Sequence, residues 1–260
     1  MIIIKTAKEI ELMRQGGRIL AKIFKKILSQ VKAGVSTGEL EELAINLIRQ
    51  AGGQPAFKGY LASDDKKVFP TALCTSINDE VVHAPALPSR RLKAGDIVGI
   101  DLGLAYPNQP QSYFTDVAAT VAVGKVSREA SRLIKTAKNA LTLATRQVKS
   151  GNSLNQIGQV IEEYVKAQGF SVVRDLVGHG VGKAVHEEPA IPNYQVASNN
   201  KIILKPGMTL AIEPMINLGD WQVKTAEDGF TILTADGDLS AHFEQTVLVT
   251  ETGHEILTKF

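Results

Sequence analysis

The chain is written twice. Val31-Lys32, Gly34, Ser36 and Glu39 return as Val148-Lys149, Gly151, Ser153 and Gln156, and Leu92-Lys93-Ala94-Gly95 through Ile100-Asp101 returns as Leu204-Lys205-Pro206-Gly207 through Ile212-Glu213. The second match holds four identities and an Asp/Glu exchange within ten positions, on top of the first. Two strands that merely begin alike would not share both. A repeated supersecondary unit must bury its apolar face against its copy, which restricts the chain to two equivalent halves around one sheet system. The halves fall at about residues 1–125 and 126–260, and without a Pro/Gly/Ser-rich linker between them the expectation is a single domain over 1–260.

Within each half a pair of helices precedes strands. Ile10, Met13, Leu20, Phe24, Ile27 and Val31 fit one helical face, and Ser36 with Glu39 forms a capping box ahead of Leu40, Leu43, Leu47 and Ile48, with Gly52-Gly53 as the stop. Leu133, Ala137, Leu141, Ala144 and Val148 mark a third helix. Ser153 and Gln156 are expected to cap a fourth, bearing Ile157, Val160, Ile161 and Tyr164 and ending near Gly169. After each pair, turn residues lead into an apolar run that ends in a carboxylate, Asp101 or Glu213. The expected class is α/β, of the α+β kind.

Composition removes several alternatives. With 260 residues, 44% hydrophobic and 22% charged, the chain holds enough apolar surface for a full core, which excludes disordered and fibrous classes. Lys and Arg number 29 against 27 Asp and Glu, without like-charge runs, so no dedicated nucleic-acid surface is expected. Cys74 is the single cysteine, which forbids an intramolecular disulfide and points to a reducing cytoplasm. Neither a signal-peptide pattern at Met1-Ile2-Ile3-Ile4-Lys5 nor an apolar run of about 18 residues is present, so export and membrane insertion are not expected.

The chemistry lies in the acids. If a pseudo-twofold axis relates the halves, Asp101 and Glu213 approach it together, and each half adds an acid on a following strand, Asp116 and Glu244. Four carboxylates converging would repel unless a cation held them. His179, within Gly178-His179-Gly180-Val181-Gly182, adds an imidazole whose flanking glycines leave room for a ligand. That donor set suits Mn, Fe, Co or Zn, and the surplus of acids favours two ions. His186, before Glu187-Glu188-Pro189, is expected to face a substrate carbonyl. Composition leaves three residues open: His83; Cys74, a buried small side chain or a pocket liner; and His242, beside the metals or on the surface.

These residues closely resemble type I methionine aminopeptidases. The motifs run in order over nearly the whole chain: Lys8-Glu9-Ile10-Glu11, Asn78-Asp79-Glu80-Val81-Val82-His83, Gly178-His179-Gly180-Val181-Gly182, His186-Glu187-Glu188-Pro189, Ile212-Glu213-Pro214-Met215, Phe243-Glu244-Gln245-Thr246 and Glu255-Ile256-Leu257-Thr258. The resemblance implies the pita-bread fold, a pseudo-twofold structure with helices outside a curved, mostly antiparallel sheet. It implies two divalent ions held by Asp101, Asp116, His179, Glu213 and Glu244, with Asp116 and Glu244 bridging. His83 and His186 are then catalytic groups touching substrate, Glu213 takes the proton of a metal-bridging hydroxide, and Cys74, Tyr60 and Trp221 line the methionine pocket. The implied activity removes initiator methionine from nascent polypeptides, preferentially before a small second residue. A cytoplasmic monomer is expected, with ribosome association left open.

Only 26 positions separate His186 from Glu213, too few for the helical insertion of type II enzymes, and no cysteine/histidine zinc-finger extension precedes the catalytic region. The chain departs from the family at four places: the longer stretch Leu102 to Thr115, an apparent insertion from Leu61 to Val68, Ala84 where Gly is usual, and Val185 where Phe often precedes the histidine. An Xaa-Pro aminopeptidase or prolidase shares the Gly-His-Gly and His-Glu-x-Pro signals, but Met215 and Ser240-Ala241-His242-Phe243-Glu244 are of the methionine type. A metal-free binding protein would be expected to have lost ligands, and all five are present.

Overall fold

α1 (Ala7–Leu28) and α2 (Thr37–Gln50) occupy the stretches marked by apolar spacing, in a computed structural model that describes residues 1–61 and 67–260. Both open on capping boxes, Thr6 with Glu9 and Ser36 with Glu39, which satisfy N–H groups that a first turn leaves unpaired. α3 (Arg128–Arg146) and α4 (Asn155–Ala167) follow in the second half. Here one expectation fails. Ser153 does not cap α4, which starts after Leu154 without a side-chain cap; it forms an isolated β-bridge with Ile203 instead. The carboxylate that closes the box at Glu39 is a neutral amide at Gln156, a weaker acceptor.

The strands are β1 (Gln54–Pro55), β2 (Leu73–Ile77), β3 (Glu80–Val82), β4 (Ile97–Tyr106), β5 (Tyr113–Ala122), β6 (Ser171–Val172), β7 (Gly178–Gly180), β8 (Glu187–Ile191), β9 (Thr209–Ile212), β10 (Met215–Asn217), β11 (Val223–Thr225), β12 (Ile232–Thr234), β13 (Ser240–Val249) and β14 (His254–Ile256). Among the described residues the main sheet runs β1-β4-β5-β13-β9-β7-β8, antiparallel throughout, and β11-β12-β3 form a second, smaller sheet. The central contact, β5 on β13, joins strands from the two halves.

The written repeat recurs in the backbone. Gly34 (φ 90°) and Gly151 (φ 88°) donate to Leu92 O and Leu204 O, while Gly95 (φ 101°) and Gly207 (φ 87°) donate to Val123 O and Val249 O. All four positions need the left-handed conformation that glycine adopts without strain.

Alternation divides the sheet. Ile100, Leu102 and Leu104 of β4, Val117 of β5, Leu210 and Ile212 of β9 and Val247 of β13 join one buried cluster with Leu20, Phe24, Leu40, Leu133 and Ile157 of the helices. The residues between them point away from the helices, to the other face. The two copies differ here from the expected strands that carry their acids in one register: β9 stops at Ile212, one residue before Glu213, whereas β4 continues past Asp101 to Tyr106, which pairs with Tyr113. The long connection is therefore mostly strand, with its irregular part confined to residues 107–112.

Candidate active site

Pairing aligns Cys74 with Asp101, Asp101 with Ala118, and Ala118 with Glu244. Two residues along each strand, Gly103 aligns with Asp116, Thr246 with Ala211, and Ala211 with His179. Positions two apart share a face, so Asp101, Asp116, Glu244, His179 and Glu213, two residues beyond Ala211, meet on the side away from the helices. Register alone brings together all five expected ligands.

Metal-binding atoms of Asp116, His179 and Glu244 lie within 4.8 Å of one another. His179 Nε2 is 3.8 Å from Asp116 Oδ2 and 3.4 Å from Glu213 Oε1, and its Nδ1 is 2.9 Å from Gly180 O, which orients Nε2 toward the acids. Thr246 donates to Asp116 Oδ1 at 2.8 Å and Asn193 to Glu213 O at 3.1 Å. The glycines beside His179 serve neighbouring backbone rather than a metal: a Cβ at Gly178 would strike Ala211 O, and one at Gly180 would strike Glu188 O.

Burial holds Asp101, Asp116, Glu213 and Glu244 above the usual carboxylate range, and neighbouring carboxylates add to this at Asp101, Glu213 and Glu244. Asp101 Oδ1 is buried with no hydrogen-bond partner among the described residues. Crowded, buried oxygen donors with one imidazole fit divalent cations, which would supply the charge that this cluster lacks. His242 belongs to the same assembly: it is 3% exposed, with Nε2 3.4 Å from Glu213 Oε2, and is not a surface side chain.

The acids floor a cavity of about 350 Å³. Cys74, His83, His186 and Tyr60 line it. Cys74 is 3% exposed, and burial, with Asp101 beside it, pushes its thiol up. His83 has a left-handed backbone, φ 59°, where the chain leaves β3, and Ala84 after it is fully buried. The His186 ring stands edge-on to His179, centroids 4.4 Å apart, and its Nδ1 lies 2.7 Å from Tyr60 Oη, which leaves Nε2 for a ligand. Burial, then His179 and His83, holds His186 well below the usual imidazole range, neutral at pH 7.

Trp221 is not on the cavity wall; its ring lies under the Arg174 guanidinium, 5.4 Å away. The apolar wall comes instead from Phe57, Phe69, Leu176, Phe230 and Ile232, with Phe69 and Phe230 edge to face at 5.5 Å. No periodicity or motif marks these residues, because they sit in separate loops and in the short strand β12. Reciprocal bonds, Gly59 N–H to Phe69 O at 2.8 Å and Phe69 N–H to Tyr60 O at 2.7 Å, bring Tyr60 and Phe69 to the wall. The segment Leu61 to Val68 lies between them, and its residues 62–66 are outside the described ones.

Comparison with known proteins identifies the family. The model of metallopeptidase family M24 matches residues 11–251. Methionine aminopeptidase 1 of Bacillus subtilis (strain 168) is 43% identical over 260 residues, covering 100% of both chains. Methionine aminopeptidase of Escherichia coli (strain K12) is 40% identical over 258 residues, covering 99% of this chain and 94% of its own. The crystal structure of methionine aminopeptidase from Thermotoga maritima superposes over 100% of both chains with a TM-score of 0.93 and 40% identity. A prolidase from Pyrococcus horikoshii shares the fold, with a TM-score of 0.75 at 22% identity over 99% of this chain and 63% of its own. The architecture is the pita-bread fold, and the chain belongs to metallopeptidase family M24.

Proposed function

We propose that this chain is a methionine aminopeptidase that removes the initiator methionine from nascent polypeptides, preferentially before a small second residue. The observation that carries the reading is the convergence of Asp101, Asp116, His179, Glu213 and Glu244 at the floor of a cavity with an aromatic wall. Those five residues would hold two divalent ions, drawn from Fe, Mn, Co or Zn. Bound there, the ions supply Lewis-acid polarisation and an activated water.

The chain's own groups do the rest. Phe57, Phe69 and Phe230 enclose an apolar side chain and exclude water. Glu213, on the cavity floor beside His179, accepts a proton near the scissile carbonyl. His186, with Nδ1 against Tyr60, directs Nε2 at the carbonyl oxygen and stabilises its developing charge. His83, which also lines the cavity, meets the substrate. The activity belongs to one catalytic unit built from the halves 1–125 and 126–260, a reading supported by the recurrent backbone bonds at Gly34 and Gly151. A monomer acting in the cytoplasm accounts for such a site.

The test offers Met-Ala, Met-Leu and Xaa-Pro peptides side by side to the metal-loaded protein. Rapid turnover of Met-Ala over Met-Leu is expected. Preference for Xaa-Pro would replace this reading with a prolidase, and equal turnover of the two methionine peptides would defeat the small-residue selectivity. The two histidines should also separate. His179→Ala weakens divalent-metal affinity together with rate, whereas His186→Ala leaves metal affinity intact and lowers kcat by roughly 10² to 10³. Metal titration and steady-state kinetics of each variant check this, and metal loss in His186→Ala would refute the assignment.

A further inference from the structure

Lys5 reaches the His186 turn from the opposite end of the chain. Its backbone N–H donates to Gly207 O at 2.9 Å, and its side chain, 1% exposed, passes over Gly182 to pair with the Glu187 carboxylate, 4% exposed. The other Glu187 oxygen accepts the backbone N–H groups of Lys183 and Ala184, and Gly182 N–H closes on Ala184 O at 3.1 Å. The turn 182–187 is thus wound around one carboxylate, and His186 is the residue next to it. This accounts for Gly182, whose φ is 146° and where a Cβ would collide with Lys5 Cε. Charge is also exchanged the other way. Lys183 Nζ lies 2.8 Å from Glu9 Oε1, and the second Glu9 oxygen caps α1 at Thr6 N–H, 2.7 Å.

We infer that Lys5 is a positioning residue for His186, acting through Glu187. Removing one partner of a buried pair leaves the other charge uncompensated. Glu187 would then turn toward water and release the Lys183 and Ala184 N–H groups, and the imidazole would lose its fixed approach to the substrate. The inference rests on the reading of His186 as the group that stabilises the carbonyl charge. Misplacement by about 1 Å costs up to about 10²-fold in rate, while the carboxylate ligands Asp101, Asp116, Glu213 and Glu244 lie on or beside strands that do not pair with β8, and His179 on the neighbouring β7 keeps its own bond to Gly180 O.

The experiment compares Lys5→Met, Glu187→Gln and His186→Ala, alone and in pairs, in the metal-loaded full chain acting on a Met-Ala peptide. Lys5→Met should lower kcat roughly 10- to 100-fold with KM and divalent-metal affinity near wild type, and Lys5→Arg should restore part of the rate. Lys5→Met/Glu187→Gln should be no slower than the slower single variant, because both act through one contact. In the His186→Ala background Lys5→Met should be nearly silent. Wild-type kcat in Lys5→Met, or an equal loss with and without His186, overturns the inference. Full kcat in His186→Ala would instead defeat the role of His186 itself. If Lys5→Met does not fold, Glu187→Gln, which keeps an acceptor for the two N–H groups, decides by the same comparison.

Discussion

Glu41 on α2 is 3% exposed, and its two oxygens accept the backbone N–H groups of Ala72 and Leu73, 2.8 Å each, just where β2 begins. Ala72 and Leu73 are themselves fully buried, so neither N–H has water as an alternative. Glu41→Leu would orphan both donors, at about 1 to 3 kcal/mol each. Relief from burying a charge offsets part of this, because burial outweighs the two hydrogen bonds and holds the Glu41 carboxyl above its usual range. A net loss of about 2 to 4 kcal/mol is expected, and Glu41→Gln, which satisfies one donor, should lose about 1 to 3. The assay is urea unfolding of the metal-loaded protein, read from midpoints at an unchanged slope. The pH dependence has a definite sign. A folded pKa raised above the ordinary 4.5 means that the folded state keeps a proton which the unfolded chain releases. Wild-type stability relative to Glu41→Gln should therefore fall as pH rises from 4.5 through the raised value, and then level off. A loss under about 1 kcal/mol in Glu41→Leu, or a rise with pH, would refute the reasoning.

Glu9 has the opposite sign: its hydrogen bond to Lys183 holds its pKa down at about 2, so its contribution is present above the ordinary 4.5 and is lost as pH falls toward 2. The gap in urea midpoint between wild type and Glu9→Gln should shrink on acidification below pH 4.5, and a widening gap would contradict the assignment. Gly17→Ala should destabilise by about 1 to 3 kcal/mol although alanine favours helix, because a Cβ there meets the backbone carbonyl of Leu257. Gly16→Ala, whose nearest contact is Tyr106 Cβ at 3.3 Å, should cost less in the same urea unfolding.

Much of this protein was legible in the sequence because periodicity and repetition are local properties of a chain. The helix faces through Leu20 and Phe24 and through Leu133 and Ile157, the cap at Ser36, and the duplicated turns at Gly34 and Gly151 needed no partner to be recognised. The acids were legible for the same reason: Asp101 and Glu213 stand at matched places in the two copies, so their convergence follows from the symmetry. What tertiary structure alone decided depends on which strand lies beside which. The alignment of Asp101, Ala118 and Glu244 places the donors on one face. The cavity wall is Phe57, Phe69 and Phe230 rather than Trp221, since loops far apart in sequence close over that face. Lys5 meets Glu187 across 182 residues, a contact that no local pattern encodes, because a charge buried by long-range packing looks in the sequence like any exposed lysine.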